Sequence, residues 1–283
     1  MNIKIVTDSS SDLSPELAEA LGILVVPLYV RFGEEIYRER VTMSDEEFYK
    51  KLLKSTVHPV TIQPGPNDFI EVYESIAKEA DGIISIHISS KLSGTFNSAL
   101  QAKGLTNIGC PLEVVDSRTV SVALGLIIIA AARAARQGKE LKQVLEVVKE
   151  AIDNTHSLCL LDTPQYLQLG GRIGKAKALL GTMLNIKPLI TVKEGEVVPA
   201  GQVHSRTNGL EQLFDFVKGA LKVEDLSIGY TTTLDDAISL SQHLNSLSDK
   251  PNAMLFRLGT TLGVHTGPGT LIVSFRGTVP EEK

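Results

Sequence analysis

The sequence predicts an α/β protein, because short runs of β-branched residues alternate with capped amphipathic helices and polar turns follow the apolar runs. Ile3 to Thr7 and Leu24 to Phe32 read as strands. Between them Ser14 and Pro15 occupy the cap and first-turn positions of a helix carrying Leu17 and Leu21. Met43 to Phe48 holds a capping box, Ser44 with Glu47, and a hydrophobic staple of Met43 on Phe48, so a helix starts there. Ile83 to Ile88 and Leu112 to Val115 are further strands, each leading into a helix. The expected product is a set of βαβ units around a mostly parallel, Rossmann-like sheet.

After about residue 154 the pattern repeats with a different sequence. Ser157 to Leu161 reads as a strand, Ala176 to Leu184 as a helix, and Lys187 to His204 as a hairpin turning at Glu194-Gly195-Glu196. Leu210, Leu213, Phe214, Val217 and Leu221 share one helical face, and strands follow at Leu226 to Tyr230, Ala253 to Leu258 and Leu271 to Phe275. Two α/β lobes are expected, residues 1–154 with the parallel sheet and 155–283 with a mixed sheet and helices, packed face to face where ligands commonly bind.

A net charge of −5 with scattered Lys and Arg argues against nucleic acid as a partner. Cys110 and Cys159 are far apart and lie in or beside apolar runs, which fits buried reduced thiols in a cytoplasmic protein better than a disulfide. The N-terminal run reads as a strand rather than a signal peptide, and Leu124 to Ala135 is too short to span a bilayer, so it is read as a buried helix. The expectation is a cytoplasmic protein with no integral membrane segment, which leaves transient membrane contact open.

Three stretches dense in glycine, proline and hydroxyls each follow an apolar run: Thr61 to Pro66, Ser89 to Thr95 and Gly263 to Gly269. In an α/β protein such loops lie at the carboxyl ends of strands, where they can converge into a nest for a small anion. Each has a bland alternative. Ser93-Gly94-Thr95 could cap a helix, Thr61 before Gln63-Pro64 could be turn chemistry, and Asp8 with Ser9 to Ser11 reads as structural capping. His265 is expected in a glycine-rich loop, unlike His87 or His156 on apolar stretches. Gly170 to Ala176 looks like a phosphate loop but is short and has Ala176 where a metal-binding hydroxyl is needed. Arg172 within it could contact phosphate or a partner, or anchor its loop through carbonyls. Dispersed histidines and the lack of a Cys-x-x-Cys pair argue against zinc, and no cofactor or metal is expected.

Six motifs occur in the order in which they recur in the DegV family: Thr7 to Leu13, Thr61 to Pro64, Leu92 to Ala99, Val115-Asp116-Ser117, Gly171-Arg172-Ile173 and His265 to Gly269. Together they resemble that family over about residues 3–280. The resemblance implies two α/β lobes enclosing a fatty acid, a C14 to C18 acid such as palmitate. It implies a non-catalytic lipid-binding protein that can act as the binding subunit of a fatty acid kinase, presenting the carboxylate to a separate ATP-binding subunit. It also implies that Ser93 and Thr61 bond the carboxylate and that His265 bonds it or orients a hydroxyl. Thr266, and more weakly Gly94 and Thr95, would add contacts. Ile62 and Gly65 stand where hydroxyl residues are usual in the family, and His204 stands where an arginine is common.

Such a ligand makes physical sense. Sixteen carbons buried at ~0.8 kcal/mol per CH₂ offer roughly 12 kcal/mol gross, while the carboxylate requires several donors. Leu160, Leu161, Leu179, Leu180, Leu184, Ile186, Leu189 and Ile190 could line the tail's room or form ordinary core, so none is assigned to the tail. The alternative is a stand-alone enzyme: a serine hydrolase using Ser93, His265 and Asp116, or a dihydroxyacetone-kinase-like protein holding a small ketone at a histidine. Ser93 lacks the Gly-x-Ser-x-Gly elbow that would favour the hydrolase.

Overall fold

The computed structural model describes residues 1–179, 186–247 and 249–280. Up to residue 153 the elements are β1 (Ile3–Asp8), α1 (Pro15–Leu21), β2 (Ile23–Val26), β3 (Tyr29–Phe32), β4 (Glu35–Arg38), α2 (Asp45–Leu52), β5 (Val60–Ile62), α3 (Pro66–Ala77), β6 (Gly82–His87), α4 (Thr95–Leu105), β7 (Leu112–Asp116), α5 (Ser121–Arg136) and α6 (Leu141–Asp153). Then follow β8 (Thr155–Leu160), α7 (Gln165–Leu169), β9 (Lys187–Lys193), β10 (Glu196–Val203), α8 (Arg206–Lys218), β11 (Lys222–Tyr230), α9 (Leu234–Asn245), β12 (Met254–Arg257), α10 (Thr260–Thr266) and β13 (Leu271–Thr278). Short 3₁₀ turns cover Ser9–Ser11 and Gly174–Leu179.

Among the described residues three sheets form. The first is parallel throughout, in the order β2-β1-β6-β7. The second is mixed, in the order β10-β9-β8-β13-β11-β12. This is the α/β architecture expected, with a Rossmann-like parallel sheet and a mixed one. The local signals act where the sequence puts them: Ser14 Oγ accepts from Leu17 N at 3.2 Å ahead of Pro15, and Ser44 and Glu47 close a capping box. Met43 and Phe48 belong to one buried cluster.

The third sheet, β4-β3-β5, is a correction to the sequence reading. Leu24 to Phe32 is not one strand, because Pro27 has no N–H to continue the ladder and Leu28 N donates instead to Ser9 Oγ at 2.8 Å. The chain leaves the parallel sheet there, and β3 founds a separate antiparallel one. The Thr61 segment, expected as a loop, is the edge strand β5 of that sheet. The helix expected over Ala176 to Leu184 appears as the Gly174–Leu179 3₁₀ turn, and residues 180–185 lie outside the described residues.

The Gly263 to Gly269 segment is also not wholly a loop: its first residues form the last turn of α10, which ends at Gly267 with φ +75°. No local capping signal announces this helix because its caps come from far along the chain. Asp12 Oδ1 accepts from Gly259 N at 2.8 Å and Glu39 Oε1 from Thr261 N at 2.8 Å. Carboxylates at a helix start satisfy orphan N–H groups and oppose the helix dipole.

α5 holds the two large sheets together. Fourteen of its sixteen residues are buried, from Ser121 to Ala135 with Arg133 exposed, which explains its lack of a polar face. It packs on β1 on one side and on β8, β11 and β13 on the other. Gly125 permits this approach, since a Cβ there would lie 2.9 Å from the Ser11 carbonyl oxygen.

Candidate functional site

A cavity of about 790 Å³, counting its open mouth, lies where the small sheet, α10, α5 and the mixed sheet meet. One part of its wall carries Thr61 from β5, Ser93 from the loop after β6, His265 from α10, and Arg172. Much of the remainder is aliphatic, and strand register explains why. Ile272, Cys159 and Ile190 stand side by side across β13, β8 and β9, and Val192 pairs with Val197 across β9 and β10, all facing the cavity.

Thr61 Oγ1 and His265 Nε2 are hydrogen-bonded at 2.9 Å. Burial, followed by the neighbouring Arg172 charge and His58, pushes the imidazole down to about 3, so it is neutral at physiological pH. Ser93 Oγ pairs with Thr95 Oγ1 at 2.8 Å and accepts from Thr95 N at 3.3 Å just ahead of α4, whose N-cap is Gly94. The expected cap therefore falls on Gly94, while Ser93 has a place in the cavity wall. Thr95 is fully buried behind Ser93. Gly94 admits the Gln63 side chain, whose Oε1 would lie 2.0 Å from a Cβ there. That contact joins the Ser93 loop to the segment after β5.

Arg172 anchors its turn through carbonyls, donating from Nη1 to Gly170 O at 2.9 Å and from Nε to Leu92 O at 3.2 Å, beside Ser93. The polar wall therefore contains a cation as well as hydroxyls. Thr266 is buried in the wall, and its hydroxyl donates to Leu262 O at 2.8 Å within α10. Three other wall hydroxyls also direct their single proton into the protein. Ser121 donates to Asp12 at 2.7 Å, Thr191 to Ser157 O at 2.7 Å and Thr261 to Glu39 at 2.8 Å.

The hydrolase arrangement is not assembled. His265 bonds Thr61, while Asp116 accepts from Arg118 N at 2.8 Å and from Ser90 N at 3.3 Å. An Asp-His-Ser chain does occur elsewhere: Asp8 Oδ2 to His87 Nδ1 at 2.9 Å, His87 Nε2 to Ser85 Oγ at 2.6 Å, then Tyr73 OH to Ser85 Oγ at 2.8 Å. All four residues have no solvent exposure, so the chain ties β1 to β6 and α3 and presents no nucleophile.

The acidic girder under α10 has no local signature in the sequence, because its carboxylates lie more than 200 residues before the helix they hold. Glu39, Asp12 and Arg40 are close together beside the cavity, with Arg40 donating to Asp45 at 3.0 Å, Leu13 O at 2.6 Å and Arg257 O at 2.8 Å. Asp12, Arg40 and Ser121 have φ of 55°, 58° and 65°, left-handed values that non-glycine residues adopt rarely. Burial raises the Asp12 carboxyl to about 7.

The His265 value yields a prediction about acid. A folded-state value near 3, against 6.5 unfolded, means the unfolded chain takes up the proton first. Stability tied to the neutral ring is complete above pH 6.5 and is lost as pH falls toward 3, by about 1.4 kcal/mol per pH unit. Asp12, raised to about 7, acts with opposite sign between about pH 4 and pH 7 in both proteins compared. The difference in urea-unfolding free energy between the native protein and His265→Asn isolates the ring. It should move against the native protein as pH drops from 6.5 to 4, and a pH-independent difference would contradict neutral burial of His265.

Among the described residues no helix is long and apolar enough to cross a membrane, and no group of three metal-ligating side chains occurs. Comparison with known proteins gives one consistent result. A family described as "Uncharacterised protein, DegV family" matches residues 2–277. A DegV domain-containing protein of Deinococcus radiodurans is 34% identical over 278 residues, covering 97% of this chain and 98% of its own. The solved structure described as fatty acid binding of a DegV family protein from Thermus thermophilus is 35% identical, covers 98% of this chain and 100% of its own, and superposes with a TM-score of 0.90. DegV from Bacillus subtilis, described as a fatty acid binding protein, is 27% identical with a TM-score of 0.88, covering 98% of this chain and 99% of its own. With its sequence matched almost end to end and its sheets in the same arrangement, the chain belongs to the DegV family.

Proposed function

We propose that this protein binds a long-chain fatty acid, its carboxylate at Thr61 and Ser93 and its tail along the Cys159, Ile190 and Ile272 row. The observation that carries the reading is a single cavity combining that aliphatic row with Thr61, Ser93 and His265 in its wall. The fatty acid binding of the Thermus and Bacillus relatives supports it.

Proton counting refines the head-group assignment. Ser121, Thr191, Thr261 and Thr266 have their protons committed to protein acceptors, which leaves them poor donors to a carboxylate. Thr61 and Ser93 differ, because each pairs with a neighbour that can itself donate. The buried His265 Nδ1 has no hydrogen-bond partner among the described residues. A buried unpaired N–H is costlier than an under-used acceptor, so the proton belongs on Nε2. His265 then donates to Thr61, and Thr61 turns its own proton to the carboxylate. Thr95 serves Ser93 in the same way. On this reading Thr266, Gly94 and Thr95 support the site without donating to the ligand through side chains.

The protein itself performs no bond-making step in this reading. Neutral hydroxyl donors hold the carboxylate without the bidentate clamp an arginine would impose, so an oxygen remains nucleophilic toward a phosphoryl donor on a separate ATP-binding kinase subunit. Arg172, with two N–H groups already bonded to carbonyls, supplies charge near the head group and a candidate contact for phosphate or that subunit. The setting proposed is the cytoplasm, and the lobes divide at residues 154 and 155.

Replacing both donors, Thr61→Ala with Ser93→Ala, tests the assignment. Hydrogen bonds to a charged group are each worth about 1.5–3 kcal/mol, so palmitate affinity should fall on the order of 10²–10⁴-fold. Isothermal titration reads the affinity and circular dichroism the fold. Unchanged affinity in a folded double variant would remove these two residues from the head-group site.

A further inference from the structure

We propose that Gly170 is a positioning residue for the carboxylate site: the space left by its missing side chain seats His265 so that Nε2 can hold Thr61. The proposal rests on the fatty-acid reading above.

The two adjacent glycines of this turn are needed for different reasons. Gly171 has φ +69°, a left-handed backbone, and among the described residues nothing lies within 4 Å of where its Cβ would be. Gly170 has φ −76° and ψ −6°, which any residue adopts. A Cβ on Gly170, however, would lie 2.1 Å from His265 Nδ1 and 2.9 Å from Cε1. The requirement at Gly170 is therefore room for the imidazole.

Neither side of the contact can yield cheaply. The turn is fixed by Gly170 N donating to Tyr166 O at 2.9 Å, Arg172 N to Leu167 O at 3.0 Å and Arg172 Nη1 to Gly170 O at 2.9 Å. The ring is tethered at its other nitrogen to Thr61 at 2.9 Å. The interlock is also reciprocal. Tyr166, one turn before Gly170, lays its ring against Gly267 just after His265, where a Cβ would lie 2.2 Å from Tyr166 Cδ2. Each partner thus presents an aromatic ring to the other's glycine, and α7 sets the angle at which α10 offers His265 to the cavity. The Gly170-Gly171-Arg172 turn, which resembles a phosphate loop in sequence, is on this view a cradle for the histidine.

The test compares Gly170→Ala, Gly171→Ala and His265→Ala, with Gly170→Ala also made in the His265→Ala background. Palmitate affinity is measured by titration, and the His265 ring nitrogens are observed by ¹⁵N NMR without ligand. Gly170→Ala should weaken palmitate at least tenfold and shift the His265 resonances, whereas Gly171→Ala, which strains a left-handed backbone but sets no atom against the ring, should shift them less. In the His265→Ala background it should cause no further loss of affinity, as coupled residues do. Should Gly170→Ala fail to fold, the double variant must fold again, because the clash has been removed. Unshifted resonances, full additivity, or a double variant that stays unfolded would overturn the proposal. Failure of the native protein to bind palmitate would instead overturn the fatty-acid reading, while the ligand-free spectra would still report on the seating of His265.

Discussion

Cys159→Trp should abolish palmitate binding while leaving the fold intact. Cys159 sits at the centre of the cross-strand row, between Ile190 on β9 and Ile272 on β13, and its side chain faces the cavity. Burial pushes its thiol far above the ordinary range, so it behaves as a small apolar group and no thiolate chemistry is lost on replacement. An indole there projects into the space the tail would occupy. Each excluded methylene removes about 0.8 kcal/mol, so blocking half of a sixteen-carbon chain removes about 6 kcal/mol, on the order of 10⁴-fold in affinity. Overpacking a filled core costs about 1–3 kcal/mol, and here the cavity takes up part of the added volume, so the melting temperature should fall by a few degrees while the protein stays folded. Displacement of a fluorescent fatty acid measures the affinity. Native-like binding by a folded Cys159→Trp protein would place the tail elsewhere.

That position was hidden in the sequence for a physical reason. Along β8 the side chains alternate, so Leu158 and Leu160 pack with the α8 and α9 side of the sheet while Ser157 and Cys159 face the cavity. The more aliphatic face is thus the ordinary core. Of the aliphatic residues considered for the tail, Leu160 and Leu189 lie in that core, Leu161 lies in the central one, and Ile190 lines the cavity. Leu180 and Leu184 fall outside the described residues. A cavity wall and a packed face have the same hydrophobic pattern, and only tertiary register separates them.

Local chemistry was far more legible. The capping box at Ser44, the buried α5 and the alternating strands follow from side-chain periodicity and caps alone. Thr61, Ser93 and His265 stood out because hydroxyls and an imidazole in short polar segments have little to do with a core, and the fold gathers all three in one wall. What escaped were features set by distant partners. Pro27 redirects the chain into a third sheet, and α10 begins on carboxylates more than 200 residues earlier.

Those carboxylates support the second large effect: Glu39→Ala should destabilise the protein by about 3–5 kcal/mol, the range seen when a buried charge network loses one member. Glu39 is 1% exposed and accepts from Ser9 Oγ at 2.5 Å, Thr261 N at 2.8 Å and Thr261 Oγ1 at 2.8 Å. Ser9 Oγ in turn accepts from Leu28 N at 2.8 Å, so one side chain links the turn after β1, the entry to β3 and the start of α10. Truncation leaves those donors buried and unpaired, each costing about 1–3 kcal/mol. It also removes an anion beside Arg40. Against a total of about 5–15 kcal/mol for a domain, the loss is large and should appear as a lower urea midpoint with an unchanged slope. Because α10 carries His265 at its other end, palmitate affinity should fall too, although Glu39 never touches the carboxylate. The Thr61 and Ser93 replacements also leave His265 Nε2 and the Thr95 hydroxyl without their partners and lower the midpoint, but because they remove the carboxylate donors they should weaken binding far more than Glu39→Ala does. A Glu39→Ala protein with a native midpoint would show that α10 is held by Asp12 and packing alone.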